Sequence, residues 1–511
     1  MKLTTLRPLL LSLAALVFIG GCAVNPVTGK KELLLVGEDW ELNTGKQNYL
    51  PLRQMQGGDY TADPGVEEYV RAVGAKLAAH SDRELPYEFN VINDSTPNAW
   101  ALPGGKISIN RGLLHELKDE AELSAVLAHE IVHSAAKHGA RGQTRGVWLQ
   151  GAVIAATVAG SRKGYGQAAQ TASAIGGQLV NQKYGRNQEL ESDLYGMRYM
   201  AAAGYDPQGA VDLQETFVRL SAGRKSDFLS NMFASHPPSQ ERVNKNRATA
   251  KTLPAGGERG REQYERAMSR IKKTAPAYEK FAQAQKSAND KNWKQAVALA
   301  KEASRIEPRE GHFHSFLGDI SINANNYKAA KTYFDRAIDV NPEFFYYHVR
   351  RGEVNQKNGN TQAARTDYEN SMKLLPVAQA QYGLGIIERD AGNVKKAKQY
   401  LGAASQTEGE VGKKATDALL ALDLGDNPGN YISIKQGLSK NGTFAFQLIN
   451  NTTRALTGIK LGVKMGRSNT TSNVDGVLGA GETRLVDTGR KMTPAQADAV
   501  SLQVLDATAQ Q

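Results

Sequence analysis

Cysteine is nearly absent: the 511 residues carry one, Cys22. That excludes any disulfide within a single chain. Long apolar runs are scarce too. Beyond the first 21 residues, no apolar stretch reaches the roughly 20 residues that a membrane-spanning helix needs. The mature chain is therefore expected to be soluble apart from any lipid it carries. Runs of like charge are missing as well. The 63 Lys and Arg against 52 Asp and Glu give a net charge of +11, spread along the chain. Such scattered charge gives no footing for nucleic acid. It reads first as a solvated basic surface, with a weak lean towards anionic surfaces such as lipid headgroups. What is left, 41% hydrophobic and 23% charged residues, describes an ordinary folded chain of several domains.

The position of the one cysteine explains it. A short basic start (Met1-Lys2 to Arg7) precedes an apolar stretch from Pro8 to Phe18, and Ile19-Gly20-Gly21-Cys22 follows. This is the build of a secretory signal, and a cysteine directly after small residues resembles a bacterial lipobox. Residues 1–21 are expected to be removed, leaving Cys22 as the lipid-bearing first residue; the alternative is an uncut membrane anchor. Ala23 after the cysteine resembles the outer-membrane sorting pattern of enteric-type bacteria.

The stretch Leu127-Ala128-His129-Glu130-Ile131-Val132-His133 carries the chemistry. On a helix, residues four apart lie one above the other. His129 and His133 can thus offer ring nitrogens to one metal ion. Glu130, about 100° round the helix, can reach a metal-bound water without being a ligand. This is the H-E-x-x-H arrangement of zinc peptidases, two ligands and a general base. The bland alternative is a surface helix with two chance histidines. Glu189-Leu190-Glu191-Ser192-Asp193 opens a second helix near Arg186. Catalytic zinc commonly takes two His and one carboxylate, with water in the fourth position. Glu189 is the expected third ligand, Glu191 the alternative. Asp193, on the same face as Glu189, is expected to hydrogen-bond a ligating histidine, His133 for preference. A solvated acidic face is the plain reading of the same residues. Ser235-His236-Pro237-Pro238-Ser239 holds a histidine on a stiff, non-helical loop. His236 can fill the open zinc position, donate to a transition-state oxyanion, or serve the loop alone. A closed structural zinc site is disfavoured, because such sites use four protein ligands, usually with cysteine.

Around these motifs, Asn25-Pro26-Val27-Thr28-Gly29-Lys30 is turn-rich, and residues 23–60 read as a tether and a first helix. Residues 65–80 read as an amphipathic helix, 88–92 as a strand, and 98–109 as two strand pieces joined by Pro103-Gly104-Gly105. Asp119 and Glu122 suggest a capping box for the His129 helix, and Gly139 its stop. The apolar, Gly-rich segment 146–180 is either a mobile lid or a pair of packed small-residue helices. A linker near Pro254-Ala255-Gly256-Gly257 precedes repeats: Ala296, Ala330 and Ala364, like Pro308, Pro342 and Pro376, stand 34 apart. With Leu317-Gly318, Phe334 and Ala337 they fall at the offsets of tetratricopeptide repeats, about four over residues 277–412. Their groove would bind peptides or proteins; a passive spacer is the alternative. From about residue 427, alternating segments and turn signals suggest a small β-sandwich. The expected architecture is multidomain and mainly α: a catalytic domain over 22–255, an α-solenoid of repeats over 277–412, and a small C-terminal β-sandwich over 427–511.

His129-Glu130-x-x-His133, Glu189-x-x-x-Asp193 and His236-Pro237-Pro238-Ser239, in that order, resemble the periplasmic zinc metallopeptidases related to BepA and LoiP. That family belongs to the wider group that includes the CaaX prenyl proteases. Asn98-Ala99-Trp100-Ala101-Leu102-Pro103-Gly104-Gly105 looks like the family's strand beside the active site, and the Asn25-Pro26-Val27-Thr28-Gly29 opening is similar to that of its lipoprotein members. The resemblance covers residues 22–245. It implies a zincin-like α+β metalloendopeptidase with one zinc per chain, held by His129, His133 and Glu189, with Glu130 catalytic and His236 a switch on the metal. It also implies a place at the periplasmic face of the outer membrane, unfolded or misassembled envelope proteins as substrates, and repeats that engage the β-barrel assembly machinery. Asn98, Ala99, Trp100, Leu102, Gly104 and Gly105 would hold an extended substrate as an added strand. The lipid anchor and the sandwich depart from the BepA pattern. A chaperone or scaffold with secondary proteolysis is the competing reading.

Overall fold

The computed structural model describes residues 22–150, 184–223 and 235–510. The expected signal at 1–21, the Cys22 side chain and most of segment 146–180 lie outside the described residues.

The described chain opens with a hairpin of β1 (Cys22–Val24) and β2 (Lys31–Leu33), Ala23 opposite Glu32. Asn25 builds its turn. The Asn25 Oδ1 accepts from the N–H groups of Val27 and Thr28, and Gly29 takes a φ of 69°, which suits glycine. A tether is expected here from the turn-rich sequence. The structure instead buries Asn25 and Val27, and Val27 joins the main core.

Helices α1 (Glu38–Met55) and α2 (Pro64–Ala78) follow. α2 starts as its sequence dictates. Asp63 accepts from the Gly65 N–H, Pro64 needs no donor at the first position, and Val66, Val70, Val73 and Leu77 form one buried face. Strands β3 (Glu88–Ile92), β4 (Ala99–Leu102) and β5 (Lys106–Asn110) make a sheet in the order β3-β5-β4. β5 is parallel to β3 and antiparallel to β4, which leaves β4 as an edge. The turn between β4 and β5 holds Gly104 and Gly105 at φ 81° and 78°.

After α3 (Arg111–Glu116) comes α4 (Glu120–Ala135), the central helix. Asp119 caps it by accepting from the Glu122 N–H at 3.0 Å. The Glu122 carboxylate accepts from the Lys118 N–H, one residue short of a reciprocal box. Every residue from Ala121 to Ala135 is buried. α4 stops at Ala135, short of the expected Gly139, and α5 (His138–Gln150) runs straight through that glycine. The break falls at Lys137, whose φ of 57° does the work usually given to a C-terminal glycine.

α6 (Arg186–Ala202) and α7 (Gln208–Gly223) pack on α4, and α8 (Gln240–Ala250) packs on both. Gly196 sets the approach of α6. A Cβ there would stand 3.2 Å from the His129 backbone nitrogen, so glycine lets the two helices close up beside the histidines. The stretch read as a linker is pinned: Tyr205 bridges to Glu258, and a Cβ on Gly257 would meet the Asp206 backbone at 2.7 Å.

From α9 (Arg261–Ala267) the chain is helical for some 160 residues: α10 (Ser269–Asn289), α11 (Trp293–Ile306), α12 (Gly311–Asn323), α13 (Tyr327–Val340), α14 (Phe345–Lys357), α15 (Thr361–Leu374), α16 (Ala378–Asp390), α17 (Val394–Ala404) and α18 (Glu410–Asp423). Two compact units divide the chain, one up to Gly359 with 373–375, the other 360–372 with 376–511. Within the first, the early repeat helices are bonded to the sheet region. Arg111 stacks over Tyr278 at 3.4 Å, Asn93 donates to the Glu310 carboxylate at 2.9 and 3.0 Å, and Gln54 bridges the Glu343 carbonyl and the Phe345 N–H.

In the second unit, β6 (Ile432–Leu438), β7 (Thr443–Asn450), β8 (Leu456–Met465), β9 (Ser468–Val474), β10 (Thr483–Lys491), helix α19 (Pro494–Asp498) and β11 (Val500–Ala509) form two antiparallel sheets, β10-β7-β6 and β11-β8-β9. Phe444, Leu448, Leu456, Leu461 and Val504 fill a shared core that also takes Leu420 of α18 and Leu424 just after it. This is a small sandwich. Among the described residues, no helix is long and apolar enough to cross a membrane.

Candidate metal centre

α4 presents His129 and His133 one turn apart, with their Nε2 atoms 3.0 Å from each other. α6 lies alongside and brings Glu189 to them: its Oε2 is 3.5 Å from His129 Nε2 and its Oε1 3.4 Å from His133 Nε2. The loop before α8 adds His236, with Nδ1 3.1 Å from Glu189 Oε1 and 3.4 Å from His129 Nε2. All four residues are buried, and one ligand atom from each lies within 4.8 Å of the others. Glu130 stands on the rim. Its Oε1 is 3.7 Å from His236 Nε2, and its Oε2 is buried with no hydrogen-bond partner.

Each histidine of α4 has its second nitrogen occupied. His129 Nδ1 is 3.0 Å from Asp193 Oδ1. The spacing in sequence leads one to expect Asp193 on His133. The structure gives it to His129 because that residue lies level with the second turn of α6, whereas His133 is one turn further on and meets α5. There His133 Nδ1 is 2.8 Å from His138 Nδ1. Glu191, the alternative ligand, points away from the cluster and takes His138 Nε2 at 3.1 Å. Arg242 of α8 anchors the acidic side, with Nε and Nη2 on Asp193 at 2.8 and 2.7 Å and Nη1 2.8 Å from Glu189 Oε2. Arg242, His138 and Tyr184, whose ring lies 3.9 Å from that of His133, join the site without belonging to any of its sequence motifs. The signals were present: His138 stands five residues after His133, and Arg242 six after His236.

Two imidazoles and a carboxylate converging with their second atoms held elsewhere are a donor set that zinc takes. The unpartnered Glu130 oxygen beside them is where a water-activating base would stand. Residues 64–250 match the model for Peptidase family M48. This stretch is an M48 peptidase domain. Residues 317–373 and 350–410 match the tetratricopeptide repeat model. The chain is 32% identical to the mitochondrial metalloendopeptidase OMA1 of Arabidopsis thaliana, over 31% of this chain and 30% of that protein. It is 28% identical to the beta-barrel assembly-enhancing protease of Escherichia coli K12, over 37% of this chain and 42% of that one. It is 29% identical to the metalloprotease LoiP of the same organism, over 36% of this chain and 71% of LoiP. The chain thus spans less than half the length of the first two relatives.

Inside the M48 domain the charges are sorted by burial and neighbours. Burial raises the Glu130 pKa, which suits a group that must take up a proton. Burial would raise Glu189 and Asp193 too. Arg242, with His236 for Glu189 and His129 for both, holds the two carboxyls below their usual range. Burial lowers His133 well below the usual imidazole value. In His129 burial is outweighed by the bonded carboxylates of Asp193 and Glu189, which push the pKa up to about 9.

Behind the centre opens a small cavity, with Val126, Met197, Leu213 and Phe217 on its apolar wall and His129, Glu130 and Arg242 on its polar one. Of the proposed substrate strand, Ala99 lines this cavity, and Ala101 and Leu102 line a smaller one beside His133 and Tyr184. Trp100 turns the other way. It packs on Tyr49 of α1 and donates to Gln56. Asn98 is buried with its carbonyl accepting from the Asn110 N–H, while Gly104 and Gly105 serve the turn.

Proposed function

We propose that the chain is a zinc-dependent endopeptidase of the bacterial cell envelope that degrades misfolded or stalled envelope proteins. The observation that carries this is the buried cluster of His129, His133 and Glu189 with the unpartnered Oε2 of Glu130 beside it. When bound there, zinc supplies Lewis acidity and a water of lowered pKa. His129, His133 and Glu189 hold it, and Asp193 and Arg242 orient the first and third of these. Glu130 accepts the proton of the attacking water and delivers it to the leaving amine nitrogen. The edge strand β4 takes an extended peptide by backbone hydrogen bonds, which tolerates many sequences. His236 occupies the open ligand position until a client displaces it, or donates to the developing oxyanion.

The relatives named as metalloproteases and as a beta-barrel assembly-enhancing protease support clients drawn from outer-membrane assembly, recruited through the repeats. Residues 1–21 then serve as a lipoprotein signal and Cys22 as the lipid-bearing residue, which would hold the enzyme at the periplasmic face of the outer membrane. The test is cleavage of casein by the purified chain. Activity is expected to vanish with a zinc chelator and return with stoichiometric zinc; chelator-insensitive cleavage would refute the reading. The repeat helices favour one other reading, a scaffold in which proteolysis is secondary. A Glu130→Gln gene that fully restores a deletion strain would establish that one instead.

A further inference from the structure

The centre has a support that the catalytic reading leaves unused. For His133 to offer Nε2 to a metal, its proton must sit on Nδ1. That proton points at His138 Nδ1, 2.8 Å away, so His138 Nδ1 must be the acceptor and its own proton must sit on Nε2. His138 Nε2 is 3.1 Å from Glu191 Oε1, a carboxylate oxygen that can only accept. The chain has one solution, and it fixes the tautomer that binds metal. The opposite one would aim an N–H at the ligand position.

Glu191 is in turn held from the N-terminal hairpin. The Asn25 side-chain amide reaches Glu191 Oε1 at 3.4 Å, the Ala136 carbonyl at 3.5 Å and Glu32 Oε2 at 3.4 Å. Arg141 of α5 closes the ring, with Nη1 3.4 Å from Glu191 and Nη2 3.1 Å from Glu32. Asn25 is 1% exposed and cannot turn away, because its Oδ1 is committed to the Val27 and Thr28 N–H groups. His138 is fully buried.

We propose that His138 and Glu191 are positioning residues for the metal ligand His133, and that Asn25 locks them from the hairpin, so that the N-terminal segment is part of the metal site. Residues that orient a metal-bound histidine typically contribute 10- to 100-fold in affinity. The proposal rests on the zinc reading above, and the experiment separates the two. Zinc affinity of the full chain is measured by competition with a chromophoric chelator, with the melting temperature of the metal-free protein as a control for folding. Glu191→Gln keeps the volume and is expected to bind zinc about tenfold more weakly, with little change in metal-free melting. Asn25→Ala is expected to weaken zinc in the same direction. The double variant is expected to be no weaker than Glu191→Gln alone, since Asn25 acts through Glu191. His138→Gln, which keeps an acceptor for His133, is expected to bind more tightly than His138→Ala. Unchanged affinity in Glu191→Gln or in Asn25→Ala, or additive losses in the double variant, would overturn the proposal. A wild type that binds no zinc would instead overturn the metal centre itself.

Discussion

Arg242 carries the charge balance of the centre: its guanidinium lies against Asp193 and Glu189, all three nearly inaccessible to solvent. Arg242→Met leaves two buried carboxylates without their cation, a loss of roughly 3–5 kcal/mol. The melting temperature is expected to fall steeply, with partial recovery in Arg242→Lys, which restores the charge but not the fork. At His236 the expectation runs the other way. If it caps the ligand position, His236→Ala raises basal proteolysis; unchanged cleavage of casein would remove its gating role. At this scale the sequence was informative where spacing along one helix decides geometry. His129, Glu130 and His133 need only a helix, and Glu189 with Asp193 only a second. At Arg242 and His138 it offers a spacing but no partner, because their partners are set by which helix faces which. The same ignorance of helix register sent Asp193 to His133 when it belongs to His129.

Among the elements, α4 and α6 hold the chemistry, and their spacing depends on Gly196. Gly196→Val forces a branched side chain against the His129 backbone. It is expected to cost about 1–3 kcal/mol and to weaken zinc binding by moving Glu189 away. Urea unfolding and chelator competition on the same sample would show both effects; loss of stability with zinc affinity intact would mean that the α4–α6 distance does not set the ligand geometry. Most elements were legible, since α2, the β4–β5 turn and the Asp119 cap follow from apolar period, Pro-Gly-Gly and a capping aspartate. Two were not. Lys137 rather than Gly139 ends α4 because the ion pair to Glu41 and the packing of α5 outweigh local preference for glycine. The β1–β2 hairpin read as a tether because turn residues reveal a bend but not the surface that the bend is buried against.

At the level of the whole molecule, the mainly α architecture with repeats and a small sandwich was visible from the 34-residue period and the change of texture near residue 427. The attachment of the repeats was not. Asn93, Arg111 and Gln54 tie the early repeat helices to the sheet region through contacts more than 160 residues apart in sequence, which no local pattern encodes. A client held on those helices would thus sit on the same compact unit as the metal centre. Everything else depends on the centre being a zinc hydrolase driven by Glu130. The direct measurement is zinc content and casein cleavage side by side for wild type and Glu130→Gln. The expected result is about one zinc per chain in both, with kcat lower by roughly 10²–10⁴ in the variant. A variant that holds zinc and cleaves at the wild-type rate would contradict the account.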